Sequence, residues 1–327
     1  MQALTIISAV NDALITEMRR DPSIVTFGED VGQEGGVFRA TVNIQEEFGE
    51  QRCFDTPLAE SAIVGTAIGM AVAGLKPVVE IQFSGFVYPA FNQIISHVAR
   101  LRNRTRGALT LPMVIRMPFS GGIRAIEHHS ESMEALFAHI PGLKVVIPST
   151  PYDTKGLLIA AMRDPDPVLF MEPKRLYRAF KQEVPEEAYT IPIGKARIVE
   201  QGDDLTLISY GAQMKETIEA GHQLQSEGTS VELIDLRTIY PWDKETVLKS
   251  VKKTGRILVV HEGPRSFGVA AELISTITSE AFEYLEAPPT RLTGSDIIFP
   301  LPTAEKHFLL RTEHIVQVAH EVVRYEP

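Results

Sequence analysis

Residues 52–60 read Arg-Cys-Phe-Asp-Thr-Pro-Leu-Ala-Glu and run into an almost wholly apolar, small-residue segment, residues 61–74. Pro57 sets its own φ and suits the first turn of a helix. That places Glu60 in or beside the turn, where the helix dipole favours a negative charge. Gly65, Gly69 and Gly74 permit close backbone approach along the segment. A carboxyl group at the mouth of so dry a helix is drawn toward its charged form by the dipole and toward its neutral form by burial, and is tunable for proton transfer. The same pattern also serves as an ordinary helix start, in which an acidic first turn stabilises a buried helix.

Two further groups carry chemistry. Glu127-His128-His129-Ser130-Glu131 follows Gly121-Gly122 in a polar stretch between an expected strand and an expected helix. An imidazole lifted to a site on such a loop moves protons near neutrality; the alternative is a solvated loop with incidental histidines. Adjacent residues in an irregular loop converge poorly on one metal. Phe83 and Phe86 follow the expected strand 77–82, at the edge where parallel sheets bind ligands. They are either aromatic core or a stacking surface for a flat heterocycle. Cys53 is the only cysteine, so no internal disulfide forms, and it reads as a small buried residue in a reducing compartment. No dinucleotide fingerprint, phosphate-cradling loop, nucleophile elbow or cysteine zinc site is present.

Something must hold these groups in place. The chain has 327 residues, 44% of them hydrophobic, enough for two domains with full cores. Residues 7–18 show helical periodicity and 24–27 a short strand. Further strands are expected at 77–83, 113–117, 143–147 and 168–171, with helices at 87–104 and 152–163. This alternation indicates α/β architecture: two domains, each a mainly parallel sheet flanked by helices. The charged stretch 174–202, with Pro185 and Pro192, reads as the connection. A second series follows, with strands at 205–209, 231–236, 257–260 and 291–293 and helices at 214–227, 244–253, 269–281 and 313–324. The division is 1–185, a connection at 186–203, and 204–327. A net charge of −10 argues against nucleic-acid binding. The longest apolar run, 63–75, is too short to cross a bilayer, which needs about 20 residues, and residues 1–12 carry no secretory pattern. A cytoplasmic protein is expected.

Asp55-Thr56-Pro57-Leu58-Ala59-Glu60 resembles the segment carrying the cofactor-activating glutamate in beta subunits of the decarboxylase component of 2-oxo acid dehydrogenases. Gly28-Glu29-Asp30-Val31-Gly32, Glu80-Ile81-Gln82-Phe83, His129-Ser130, Pro141-Gly142-Leu143-Lys144, Glu172-Pro173-Lys174 and Ile234-Asp235-Leu236-Arg237-Thr238 are similar to that family too, in order along essentially the whole chain. The resemblance implies a transketolase-like pyrimidine-binding domain followed by a transketolase C-terminal-like domain. It implies thiamine diphosphate as cofactor, with Glu60 bonded to a ring nitrogen of its aminopyrimidine and Phe86 against that ring. Leu58 and Gln82 are implied beside it. His129 matches the family's active-site histidine. The implied reaction is oxidative decarboxylation of pyruvate or a branched-chain 2-oxo acid, with acyl transfer to lipoyllysine. The family's diphosphate–magnesium motif, Gly-Asp-Gly with a later Asn, is absent. Gly202-Asp203-Asp204 is no substitute. The missing half, with its Mg2+, is therefore expected on an alpha subunit, in an α2β2 heterotetramer with β–β pairing that docks on the lipoyl acyltransferase core. The family also places K+ against backbone carbonyls matching Met113, Ala161, Asp164 and Asp166. Two rivals stay open: a subunit of a split transketolase or deoxyxylulose-phosphate synthase type, and a non-catalytic assembly subunit.

Overall fold

In the computed structural model, which describes residues 1–326, the β-branched runs form strands whose side chains are buried on both faces, as parallel sheets require. Among the described residues the first sheet has seven strands. Their spatial order is Thr238–Tyr240, Lys144–Val146, Val168–Pro173, Val114–Phe119, Lys76–Glu80, Ile24–Gly28 and Cys53–Asp55. All neighbours are parallel except the first pair. The second sheet has five strands, ordered Thr290–Gly294, Ile257–Pro264, Leu205–Ser209, Val231–Asp235 and Arg197–Glu200, antiparallel only at the last pair. Helices flank both sheets, giving the expected two-part α/β architecture. On one face of the first sheet Ile6–Arg20 packs against Pro151–Arg163. Thr5 and Thr150 cap their N-termini by accepting from Ser8 and Asp153 main-chain N–H groups, and buried Glu17 bonds Arg163 at 2.5 Å between them.

Several expected elements differ in detail. The helix after Pro57 begins at Glu60, with Ala59 as its N-cap, so Pro57 lies in the preceding turn rather than inside the helix. Residues 87–104 are a broken series: 3-10 turns, a π-helical turn at Ile94–Val98 and a short helix at Leu101–Arg104. Pro89 lacks an N–H to donate, and the wide turn keeps Ala90, Ile94 and Val98 all buried. The stretch 174–202 is not a featureless connection. Gln182–Val184 pairs with Gln2–Leu4, and Arg197–Glu200 edges the second sheet. Thr238–Tyr240, far along the chain, closes an edge of the first sheet by pairing with Lys144–Val146.

The centre of the first sheet holds a charge network. Arg116 is 1% exposed. Its Nε and Nη2 donate to Glu172 Oε1 and Oε2 at 2.7 and 3.1 Å, and Nη1 donates to Glu80 Oε2 at 2.9 Å. The Tyr177 hydroxyl donates to Glu172 Oε2 at 2.5 Å. Three adjacent strands are thus tied at their C-terminal ends, the edge from which the loops bearing Phe86, His129 and Lys174 depart. Burial raises the Glu80 carboxyl above its ordinary pKa, opposed by Arg116. Removing the cation leaves two dry carboxyl groups without a counter-charge, only Glu172 keeping the Tyr177 hydroxyl, which typically costs about 3–5 kcal/mol. Arg116→Met is accordingly expected to lower the urea midpoint of the first unfolding transition by an amount in that range; an unchanged midpoint would show that the network stabilises nothing.

Candidate active site

The sequence-predicted residues gather at the C-terminal edge of the first sheet. Strand Ile24–Gly28 delivers Glu29 and Asp30, Cys53–Asp55 leads to Glu60, Lys76–Glu80 leads to Gln82, Phe83 and Phe86, and Val114–Phe119 leads to the loop bearing His129. Glu60 is 7% exposed at the first position of Glu60–Val72. Among the described residues its carboxyl accepts no hydrogen bond. Glu29 is equally buried, and its carboxyl is pushed up first by burial and then by the neighbouring Glu60 charge. Gln82 Nε2 donates to Asp30 Oδ2 at 3.0 Å and lies 3.5 Å from the Glu29 carbonyl, which ties the two halves of the edge together. Leu58, 80% exposed, projects from the turn before Glu60.

Beside them stands an aromatic cluster. The His129 ring centroid lies 4.4 Å from Phe83 and 5.0 Å from Phe86, both edge-on. Phe83 is buried while Phe86 keeps part of its face open. The two loops touch at Gly85, where a Cβ would sit 2.1 Å from the His128 carbonyl oxygen; no larger residue fits without parting them. Ser84 Oγ and the Tyr88 hydroxyl donate to the Glu131 carbonyl and carboxylate at 3.2 and 2.9 Å, clamping the far end of the histidine loop. His128 points to solvent, whereas His129 is half-buried with Nδ1 unpartnered among the described residues. Its imidazole is held below the ordinary value, first by burial, then by the Lys174 and His128 charges.

Lys174 is a site residue that the sequence marked only as part of Glu172-Pro173-Lys174. It is 4% exposed, and Nζ donates to the Ser120 carbonyl. Burial draws its ammonium down to about 7, against the pull of Glu262 and Glu305. A lysine directly after a fully buried strand was the available signal. Cys53 is fully buried, with its thiol pushed up to about 12 by burial, and has no nucleophilic character.

The four residues implied for a monovalent cation lie elsewhere. Met113 and the Ala161–Asp166 region stand at the opposite, N-terminal edge of the sheet. The Met113 and Ala161 carbonyls accept from Val168 and Asp164 N–H groups at 3.0 and 3.2 Å. The Asp164 and Asp166 carboxylates are engaged by Lys144 and Arg102, so carbonyl lone pairs are what remain for a cation there. Among the described residues no cluster of three or more His, Cys, Asp or Glu side chains is arranged to hold a metal, and no helix is long and apolar enough to cross a membrane.

Residues 2–179 match the transketolase pyrimidine binding domain family, and residues 194–315 the transketolase C-terminal domain family. The chain is 55% identical to the pyruvate dehydrogenase E1 component subunit beta of Acholeplasma laidlawii, over the full length of both. It is 52% identical to the protein of that name from Mycoplasma pneumoniae, over 97% of each chain, and 49% identical to that from Bacillus subtilis, over 99% of this chain and all of that one. The solved structure of a split gene transketolase, an inactive beta4 tetramer, shares the fold with a TM-score of 0.81 at 20% identity, covering 99% of this chain and 100% of that one.

The cause of the His129 shift is open to a direct check. A histidine NMR titration, with the resonance assigned through its loss in His129→Gln, is expected to place the midpoint below 6.5. Lys174→Gln is expected to raise it. A midpoint at or above 6.5 in the unsubstituted chain would contradict the buried, cation-flanked placement.

Proposed function

The chain belongs to the pyruvate dehydrogenase E1 beta subunit family, and from that premise we propose that it forms the pyrimidine-binding half of a thiamine diphosphate-dependent 2-oxo acid decarboxylase, with pyruvate as substrate. The observation that carries the reading is Glu60: a buried carboxyl at a helix start, free of internal hydrogen bonds among the described residues, at the same sheet edge from which the Phe86 and His129 loops depart. These residues fit the flat, nitrogen-bearing end of the cofactor. Thiamine diphosphate, when bound, supplies a carbon nucleophile for the 2-oxo carbonyl and a sink for the electrons left as carbon dioxide departs. Glu60 holds a proton against the aminopyrimidine nitrogen, Phe86 stacks on the ring, and Leu58 and Gln82 border it. His129, neutral at working pH, handles protons at the acyl carbon and in acyl transfer to lipoyllysine.

The diphosphate and Mg2+ belong on an alpha subunit in this reading. Two copies of each chain make an α2β2 heterotetramer in the cytoplasm, docked on the lipoyl acyltransferase core. The face of Glu60–Val72 bearing exposed Ala62, Thr66, Gly69 and Val72 suits β–β pairing. A K+ ion on the carbonyls of Met113, Ala161, Asp164 and Asp166 would have a structural role, since these residues stand at the edge away from Glu60. Branched-chain substrates and the split-transketolase alternative draw less support, because relatives 49–55% identical over nearly the full length carry the pyruvate dehydrogenase name.

Two measurements test the assignment. In the enzyme reconstituted with its alpha subunit, Glu60→Gln is expected to slow hydrogen–deuterium exchange at the thiazolium carbon by at least about 100-fold, the scale of a lost acid–base group; unchanged exchange removes Glu60 from the chemistry. Titration calorimetry of the isolated chain with thiamine diphosphate and Mg2+ is expected to show weak binding or none, and tight binding once the alpha subunit is added. Tight magnesium-dependent binding by this chain alone would place the phosphate site here and overturn the division of labour.

A further inference from the structure

The loop that carries His129 starts in an awkward backbone and is held there from the far half of the chain. Ser120, Gly122 and Arg124 have φ of 71°, 96° and 56°. Ser120 and Arg124 bear side chains, for which this left-handed region is unfavourable, so the turn persists only where its surroundings enforce it. The Lys174 ammonium donates to the Ser120 carbonyl, and Ser120 N–H closes the neck of the loop onto the Glu131 carbonyl at 3.1 Å. The next donors point toward the second half. Gly121 N–H donates to Glu262 Oε1 at 2.6 Å, and the Gly122 and Arg124 N–H groups donate to Glu305 Oε1 and Oε2 at 2.6 and 3.1 Å. The Ser132 hydroxyl, past the other end of the loop, also donates to Glu262 Oε1, at 3.1 Å.

Glu262 stands on strand Ile257–Pro264 of the second sheet, and Glu305 opens the short helix Glu305–Phe308. Both are buried. Among the described residues no lysine or arginine side chain hydrogen-bonds either one, and Arg175 stops 3.9 Å from Glu262. His261, beside Glu262 in the strand, adds no charge, since burial draws its imidazole down to about 4. The main-chain N–H groups of the loop are therefore the donors on which these dry carboxylates depend, and hydrogen bonds to a charged acceptor are the strong kind. Gly121 makes the approach possible: a Cβ there would lie 2.3 Å from the Phe299 ring, which also comes from the second half.

We propose that Glu262 and Glu305 are positioning residues for His129: the second half of the chain reaches across to fix the start of the histidine loop, so that the imidazole meets the acyl group in one orientation. The inference rests on the reading that His129 handles protons. It gives the second half a part in the chemistry, although none of its side chains reaches the aromatic–imidazole cluster. The bonding pattern sets a specific expectation. Glu262 uses one oxygen for both of its bonds, whereas Glu305 uses both oxygens. Glutamine keeps a single carbonyl oxygen, so it can replace Glu262 and cannot replace Glu305. A role resting on negative charge would lose both, and a role resting on side-chain volume would lose neither.

The test compares Glu262→Ala, Glu262→Gln and Glu305→Gln. In the enzyme reconstituted with its alpha subunit, Glu262→Ala and Glu305→Gln are expected to lower kcat by about 10- to 100-fold, the scale of a misplaced catalytic group, with thiamine diphosphate affinity unchanged. Glu262→Gln is expected to restore most of the loss seen in Glu262→Ala. In the isolated full-length chain, amide exchange followed by NMR is expected to quicken at Gly122 or Arg124 in Glu305→Gln and at Gly121 in Glu262→Ala, while Leu207 and Val259 in the second sheet keep their protection. Equal effects of the two glutamine variants overturn the proposal, as does quickening shared by Leu207 and Val259, which is general loosening, or unchanged exchange at the loop. If His129→Gln leaves turnover intact, the proton-handling reading falls and this one with it; if His129→Gln is impaired while Glu305→Gln is not, this one falls alone.

Discussion

A guanidinium buried between two carboxylates sets the geometry on which the site depends. Arg116, Glu80 and Glu172 stand on three neighbouring parallel strands, and their bonds fix the spacing of those strands where the functional loops leave. Burying three ionised groups is unfavourable unless each is closely paired, so the arrangement tolerates little displacement. Phe83 and Phe86 follow Glu80 within a few residues, Lys174 follows Glu172 by two, and the His129 loop leaves from the strand that bears Arg116. The aromatic–imidazole contact of 4.4 Å therefore rests on a rigid floor, even though every residue that makes it lies on a loop.

Burial also divides the ionisable groups into functional types. Glu29 and Lys174 are both pushed toward their neutral forms, from opposite directions, at the C-terminal edge of the first sheet. At the other edge Asp164 and Asp166 keep partly exposed positions beside Lys144 and Arg102 and serve as ordinary ion pairs.

Much of this was legible from sequence because the central strands are buried on both faces and read as continuous β-branched runs. Leu205–Ser209 and Val269–Ala281 fall where periodicity placed them. Glu60, Phe86 and His129 stood out through motif likeness, and the fold brings Phe86 and His129 into contact. What was hidden has physical causes. Three-residue edge strands such as Gln182–Val184 and Thr238–Tyr240 are too short for a period. The break within residues 87–104 follows from tertiary packing around Pro89. Pro57 satisfies a helix-start rule yet sits in the turn outside it. Lys174 and His261 owe their character to neighbours distant in sequence, which no local pattern encodes.

Thr238–Tyr240 has a bearing on synthesis. The first sheet acquires its last strand only after more than two-thirds of the chain exists, since that strand lies beyond the whole opening series and three strands of the second sheet. Until then Lys144–Val146 presents an open backbone edge able to recruit any extended peptide. A fragment cut between the halves would retain that bare edge permanently, and with it a route to aggregation that the intact chain closes on itself. The two halves are thus laced together, so a nascent ribosome-bound chain cannot finish one before starting the other.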